Sequence, residues 1–274
     1  MPLYIQTNVA SLAAQRNVHR NQSALGKSFD RLSSGYRINT AADDAAGLAI
    51  SESMKSQIRS YTVAERNAAD GISMAQTAEG ALGDVHDVLG RMRELAMQSS
   101  NGSLTDTDRG YIDTEFAQLK DEVSRIQDSA KFNGKELIGA STSSITFQVG
   151  LNNTAADQIT VDFGNVSLTG LVATSLSVGS LSGAQGALST IDTAIGAVST
   201  ARSGFGAAMN RLEVASSNIQ TMRLNLSAAN SRIRDVDVAS EAASMSRNQV
   251  LTQAGVSVLA QANGLPQLAF GLIG

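Results

Sequence analysis

DDAAGLAISESMKSQIRSYTVAERNAADGISMAQTAEGALGDVHDVLGRMRELAMQS, residues 43–99, holds one apolar register from end to end: Met54, Ile58, Tyr61, Ala68, Ile72, Ala75, Leu82, Leu89 and Ala96. Spacings of three and four residues put these side chains on one helical stripe, the pattern of helices packed as coiled coils. At 1.5 Å per residue the stretch predicts a helix about 85 Å long. A helix of that length does not stand alone in water and needs partners along its whole course.

Working outward, Ser33-Ser34-Gly35 breaks the chain upstream, and before it Leu25, Phe29, Leu32 and Tyr36 keep the same spacing, with Ile5, Val9 and Leu12 on a similar stripe. Downstream, Thr105 is a helix N-cap followed by Asp106 and Asp108 in a first turn whose exposed amides favour negative charge. That third helix continues through Ile112, Phe116, Leu119, Val123 and Ile126 and is expected to stop at the Asn133-Gly134 pair as a C-cap. The short connection from Ser100 to Leu104 predicts two antiparallel neighbours. Alternation at period two then marks a β-hairpin, with Ile145, Phe147 and Val149 on one strand, Ile159, Val161 and Phe163 on the other, and a polar turn at Asn152-Asn153-Thr154. The uncharged segment from Val166 to Gly183 reads as an irregular link. A further long helix keeps register through Leu188, Ile191, Ile195, Val198, Phe205, Met209, Leu212, Ile219, Leu226 and Ile233, and a last one carries Val238, Ala242, Met245, Val256 and Leu259.

Composition agrees with this reading. The 274 residues include only two prolines, at Pro2 and Pro266, and 4% aromatics with no Trp, which suits slender helices meeting along narrow seams. The expected fold is mainly α, a long antiparallel helical bundle with a small β-hairpin, the two terminal helices pairing as a coiled coil. Its expected divisions are 1–42 and 233–274 for the paired ends, 43–139 and 184–232 for the bundle, and 140–183 for the hairpin and link. The apolar faces of the ends have no further segment of the chain to cover them, so self-association is the physical prediction. Residues expected in it are Ile5, Val9, Leu12, Leu25, Phe29, Leu32, Met245, Val256, Leu259 and Leu265.

Several classes of function find no support. A net charge of -4 without a basic run argues against nucleic acid. Cysteine is absent, and His19 and His86 are the only histidines, both expected to face solvent, so neither a thiolate site nor a histidine-rich metal site is available. No cofactor is expected. Asp43 and Asp44 precede a run of Ala and read as helix N-terminal residues rather than paired catalytic carboxylates. Gly204-Phe205-Gly206 lacks the third glycine and preceding strand of a phosphate loop and is assigned to close helix packing. With no nucleophile–base pair in view, an enzyme is not expected. The start, Met1-Pro2-Leu3-Tyr4-Ile5, has no cleavable-signal pattern. The charge-free stretch from Asn248 to Gly274 is interrupted by Gln249, Gln253, Gln261, Asn263 and Gln267, so membrane insertion is not expected either.

Three separated motifs resemble those of bacterial flagellins. Residues 32–39, Leu-Ser-Ser-Gly-Tyr-Arg-Ile-Asn, with residues 42–51, Ala-Asp-Asp-Ala-Ala-Gly-Leu-Ala-Ile-Ser, look like the N-terminal signature of that family. Ser244-Met245-Ser246-Arg247 and Ser257-Val258-Leu259-Ala260-Gln261-Ala262-Asn263 look like the C-terminal one, and Arg91-Met92-Arg93-Glu94-Leu95-Ala96 lies between. The resemblance implies a secreted, extracellular subunit of the flagellar filament, exported unfolded through the flagellar type III channel, its terminal helices forming an inner core and its bundle and hairpin an outer tube. It implies as partners other copies of the chain, an export chaperone on the C-terminal helix, and the filament cap and junction proteins. It also places Arg91, Leu95 and Glu115 where the family meets the host Toll-like receptor for flagellin, or where subunits pack; Gly90 stands where many receptor-active members carry Gln. The short link at 166–183, in place of larger outer domains, implies a comparatively smooth filament. Ser141 to Ser144 and Thr169 to Ser182 are places where the family is often O-glycosylated. Two other functions fit the helical pattern: a hook–filament junction protein, and a secreted coiled-coil adhesin or effector acting as a free molecule.

Overall fold

In a computed structural model of the chain, residues 7–139, 144–164, 166, 168, 171 and 176–273 are described, the side chains as far as residue 264. The described residues form helices α1 (Val9–Ser34), α2 (Ala45–Ser99), α3 (Asp106–Ser129), α4 (Leu181–Arg234) and α5 (Val238–Ile273). They also form strands β1 (Lys131–Phe132), β2 (Lys135–Glu136), β3 (Ile145–Gln148) and β4 (Gln158–Val161). The chain divides into a terminal unit, Met1–Ser56 with Asn225–Gly274, and a central unit, Gln57–Leu224; α2 and α4 contribute residues to both.

Local chemistry sets the helix ends. Asn8 caps α1 by accepting a hydrogen bond from the Ser11 amide at 3.0 Å. Gly35 ends that helix at φ 75, a left-handed turn that glycine enters without a Cβ penalty, and its amide donates to the Arg31 carbonyl at 2.9 Å. Asp44 opens α2 by accepting from the Gly47 amide at 2.8 Å. At α3, Thr105 and Asp108 form a reciprocal capping box.

The third helix stops earlier than the Asn133-Gly134 pair suggests. It ends at Ser129, and Asn133 (φ 48) and Gly134 (φ 80) instead form the two-residue turn of the β1–β2 hairpin, in which Phe132 pairs with Lys135. Two consecutive left-handed residues match the right-handed twist of flanking strands, which is the turn chemistry that Asn-Gly serves best. The second hairpin, β3–β4, lies where the alternation placed it, with Ile145 opposite Val161 and Phe147 opposite Ile159.

In the central unit α2 runs antiparallel to α3 and α4, as the partners of its charged residues show. Arg91 meets Glu115 on α3, while Arg93 meets Asp192, Glu79 meets Arg202 and Glu65 meets Arg223 on α4. Ala78, Leu82, Leu89 and Ala96 of α2 are fully buried together with Phe116 and Val123 of α3 and Ile191, Phe205 and Leu212 of α4. The β3–β4 hairpin seats on α2 because Gly71 leaves room: a Cβ there would lie 3.2 Å from Phe147 and 3.1 Å from Leu212. Nor is the link an unpacked connector. Its described apolar residues Val166, Leu168, Leu171 and Val178 are buried, and Asp113 accepts hydrogen bonds from the Val178 amide (2.7 Å) and the Ser177 hydroxyl (2.8 Å). Each such apolar side chain stabilises by about 1.5–3 kcal/mol when removed from water, so these four residues add to the core of the central unit.

Two smaller expectations change. Around Gly204 and Gly206 a Cβ would meet nothing within 4 Å, so only Phe205 packs, its ring tilted against Phe163 at 5.2 Å. His86 is half-buried rather than solvent-facing, with its Nδ1 unpartnered. Residues 141–143, 169, 170 and 172–175 of the Ser/Thr-rich segments lie outside the described residues.

Candidate assembly surface

The terminal unit is an antiparallel pair of α1 and α5, and its seam is unusual in composition. On α1 the inward positions are Ser11, Ala14, Val18, Asn21, Leu25, Ser28 and Leu32, an unbroken three–four repeat. On α5 they are Glu241, Met245, Asn248, Thr252, Gly255, Leu259 and Ala262, again in strict repeat. Small and polar residues thus occupy most of the layers, and large apolar side chains are few.

Register follows from contacts along the pair. At one end the Asn8 side-chain amide donates to the Ala262 carbonyl at 2.8 Å and the Ser11 hydroxyl donates to Asn263 Oδ1 at 2.6 Å. At the other, Arg31 lies 3.7 Å from Glu241 and 4.0 Å from Asp43. Arg31 therefore finds acidic partners within its own chain. Asp43 also accepts from the Thr40 and Asn39 amides and the Thr40 hydroxyl; the Thr40 backbone N–H above all holds its carboxyl below the usual range.

Beyond the ends of α1 and α4 the chain is cross-tied. Tyr36 pairs with Asp235 as a single β-bridge, the Val236 amide donates to the Gly35 carbonyl at 3.0 Å, and Arg37 donates to the Ile233 carbonyl. Arg234 stacks over the Tyr36 ring at 4.5 Å while pairing with Glu52.

The outward faces carry apolar residues as well. On α1 Val9 is 62% exposed, Leu12 54% and Phe29 65%. On α5 Val250, Leu251, Val256 and Val258 are exposed, with Leu251 and Val258 seven residues apart on one flank. Of the residues expected in self-association, Val9, Leu12, Phe29 and Val256 face out. Leu25, Leu32, Met245 and Leu259 are half-buried in the seam between α1 and α5. Ile5 lies outside the described residues, and the side chain of Leu265 is likewise not described. The Leu25, Phe29, Leu32, Tyr36 stripe is therefore divided between two surfaces. Hydrophobic periodicity found only part of the seam because Ser11, Ala14, Asn21 and Ser28 are not apolar signals; a repeat of small residues at the same spacing was the available clue.

On the central unit, Arg91 donates to Glu115 Oε1 from Nε (2.9 Å) and Nη2 (2.8 Å) and to Glu94 (2.9 Å), so Arg91 and Glu115 form one exposed charged feature. Leu95 does not share it. At 2% exposure Leu95 belongs to the core, because the face of α2 that follows Arg91 by one turn is covered within the bundle.

Among the described residues no group of His, Cys, Asp and Glu is placed to hold a metal ion, and no helix is long and apolar enough to cross a membrane.

Known proteins match this chain along nearly its whole length. Residues 5–143 match the bacterial flagellin N-terminal helical region and residues 188–273 the bacterial flagellin C-terminal helical region. The chain belongs to the bacterial flagellin family. Flagellin of Halalkalibacterium halodurans is 44% identical over 274 residues, covering 99% of this chain and 100% of that one. Flagellin of Bacillus subtilis is 39% identical over 301 residues, covering 98% and 99%. Among solved structures, the crystal structure of Bacillus cereus flagellin superposes with a TM-score of 0.50 at 30% identity, covering 60% of this chain and 94% of that one. A putative flagellar hook-associated protein from Vibrio parahaemolyticus shares the fold, with a TM-score of 0.57 at 15% identity, covering 70% and 100%. Flagellins are structural proteins, not enzymes.

Proposed function

We propose that this flagellin is a structural subunit that self-assembles into a bacterial flagellar filament outside the cell, burying the outward faces of α1 and α5 against other copies of itself. One observation carries the reading: in the terminal unit the apolar side chains Val9, Leu12, Phe29, Leu251, Val256 and Val258 face out, uncovered by any described residue of the chain. Apolar side chains scattered singly on a surface need no explanation. Two paired helices that both leave a row of apolar residues on their outer faces are arranged to be covered from outside. The names of relatives matched along their full length favour a filament subunit over a junction protein or a free adhesin.

On this reading residues 1–42 and 233–274 serve the inner core of the polymer, and 43–139, 140–183 and 184–232 its outer part. The chain leaves the cell unfolded by the flagellar type III route. The open face of α5 is also the surface for an export chaperone, and the cap and junction proteins meet the assembled ends. Arg91 and Glu115 supply a polar surface for subunit packing and for the host Toll-like receptor, with Leu95 beneath them holding α2 in place.

Seeded polymerisation tests the assembly reading. Purified chain should elongate filament seeds, and Leu12→Asp or Val256→Asp should stop elongation while leaving helical content unchanged, since both side chains are exposed within the subunit. Elongation of the two variants at the rate of the unaltered chain would falsify the assignment of these faces, and an unaltered chain that stays monomeric on seeds would overturn the function itself.

A further inference from the structure

The seam between α1 and α5 interleaves small and polar residues with Val18, Leu25, Leu32, Met245 and Leu259, so its register rests on how individual layers fit. We propose that Val18 seated over Gly255 is the register lock of this helical hairpin, and that Gly255 is thereby a specificity-determining residue for assembly; the inference rests on the assembly reading above.

A Cβ built on Gly255 would lie 2.8 Å from Val18 Cγ2, a separation that real Cβ atoms do not adopt. Val18 is itself buried, and its branched side chain has essentially one rotamer in a helix, so it cannot swing aside. Glycine inside a helix is otherwise unfavourable, which makes its presence at this position informative. The contrast within the same unit is plain: a Cβ at Gly26 or at Gly264 would meet nothing within 4 Å. Gly255 is the helical glycine of this pair whose missing side chain is filled by the partner helix.

The layers on either side agree. Given the contacts of Asn8 with Ala262, Val18 with Gly255 and Arg31 with Glu241, Ala14 falls opposite Leu259 and Asn21 opposite Thr252. A slip of one heptad in one direction would place Asn21 against Leu259, and in the other would place Val18 against Asn248. Either slip takes Val18 off Gly255 and forfeits the end contacts of Asn8 with Ala262 and of Arg31 with Glu241, and the loss of specific fits is how coiled coils choose register.

Register matters for assembly because the two outward faces act jointly. A heptad slip moves Leu251, Val256 and Val258 by about 10 Å along Val9, Leu12 and Phe29. A second copy of the chain would then meet a surface that no longer matches its own.

The experiment uses the full chain, elongation of filament seeds, and four proteins: unaltered, Gly255→Ala, Val18→Ala and Val18→Ala/Gly255→Ala. Alanine is the better helix former, so any loss in Gly255→Ala runs against intrinsic propensity. Expected is a drop in elongation rate of about tenfold or more for Gly255→Ala, with the double variant restored to within about threefold of Val18→Ala, the coupling a double-mutant cycle isolates. Unimpaired elongation by Gly255→Ala would overturn the lock, and so would a double variant as defective as Gly255→Ala, since the glycine would then act through something other than Val18. Failure of the unaltered chain to elongate would instead overturn the assembly reading.

Discussion

The guanidinium of Arg109 donates from Nε to the Ser99 carbonyl at 2.9 Å, closing the C-terminal end of the long helix α2 with a side chain from the first turn of α3. The same group donates to the Asn101 carbonyl at 2.8 Å and to Asp106 at 3.0 Å, and the residue is only 5% exposed. The last carbonyls of a helix have no partners within it, and a planar fork of five donors is well suited to satisfy one of them, that of Ser99, together with the Asn101 carbonyl of the connection. The α2–α3 connection is therefore held by a buried cation rather than by apolar packing.

Arg109→Ala should destabilise the chain by about 3 kcal/mol, because it strands buried carbonyls as well as removing charge-assisted hydrogen bonds. Arg109→Lys should recover less than half, since one ammonium does not reach both carbonyls in fork geometry. Urea unfolding followed by helical circular dichroism measures both.

Stability should fall in acid. The Asp108 carboxyl is held below its ordinary range by the Thr105 hydroxyl first and the Thr105 amide second, Asp192 by its bond to Arg93, Glu122 by its bond to Arg125, and Asp43 chiefly by the Thr40 amide. A carboxyl depressed on folding stabilises above its unfolded pKa, about 4, and that contribution is lost as pH falls through the lower folded value. Unfolding midpoints should therefore be flat from neutral pH to about 5 and decline below about 4. Asp108→Asn should shallow the decline; an unchanged slope would mean that the capping box contributes nothing to it.

Leu95 and Glu115 should separate stability from surface recognition. Leu95→Ala removes a buried side chain and should cost about 2–5 kcal/mol. Glu115→Ala breaks an exposed pair and should leave the unfolding midpoint in place while weakening subunit packing or binding to the receptor ectodomain, read by seeded elongation and by surface plasmon resonance.

Gly134→Ala should lower stability by about 1 kcal/mol, because φ 80 is costly for a residue with a Cβ. Were Asn133-Gly134 ending a helix instead of turning a hairpin, the Lys131–Glu136 pair at 3.2 Å would not exist, and Lys131→Ala and Glu136→Ala would show no coupling in a double-mutant cycle.

Much of the architecture was legible in residue order. The α2 register, the Thr105 cap, the β3–β4 alternation and the break at Gly35 are local signals, each written within a few residues and each obeyed by the structure. Where two readings were locally possible, as at Asn133-Gly134, the outcome turned on whether the residues after it had a strand partner, and Lys131–Phe132 with Lys135–Glu136 supplied one. The packing of the link at 166–183 was not legible for a related reason: absence of charge and of periodicity marks a loop equally well whether it is loose or packed, and only the bundle beneath shows that Val166, Leu168, Leu171 and Val178 are buried.

By itself the sequence determined that this chain is a set of long helices with a hairpin, that its ends carry apolar stripes, and, through three motifs, which family it belongs to. Periodicity reports which residues share a helical face, because 3.6 residues per turn is a property of one helix. It does not report which of several faces the partner helix covers, because that depends on what the partner offers at each layer. Only the tertiary structure decided that α1 presents Ser11, Val18 and Leu25 to α5 and leaves Leu12 and Phe29 outside, that Leu95 is core while Arg91 is surface, and that Gly255 receives Val18.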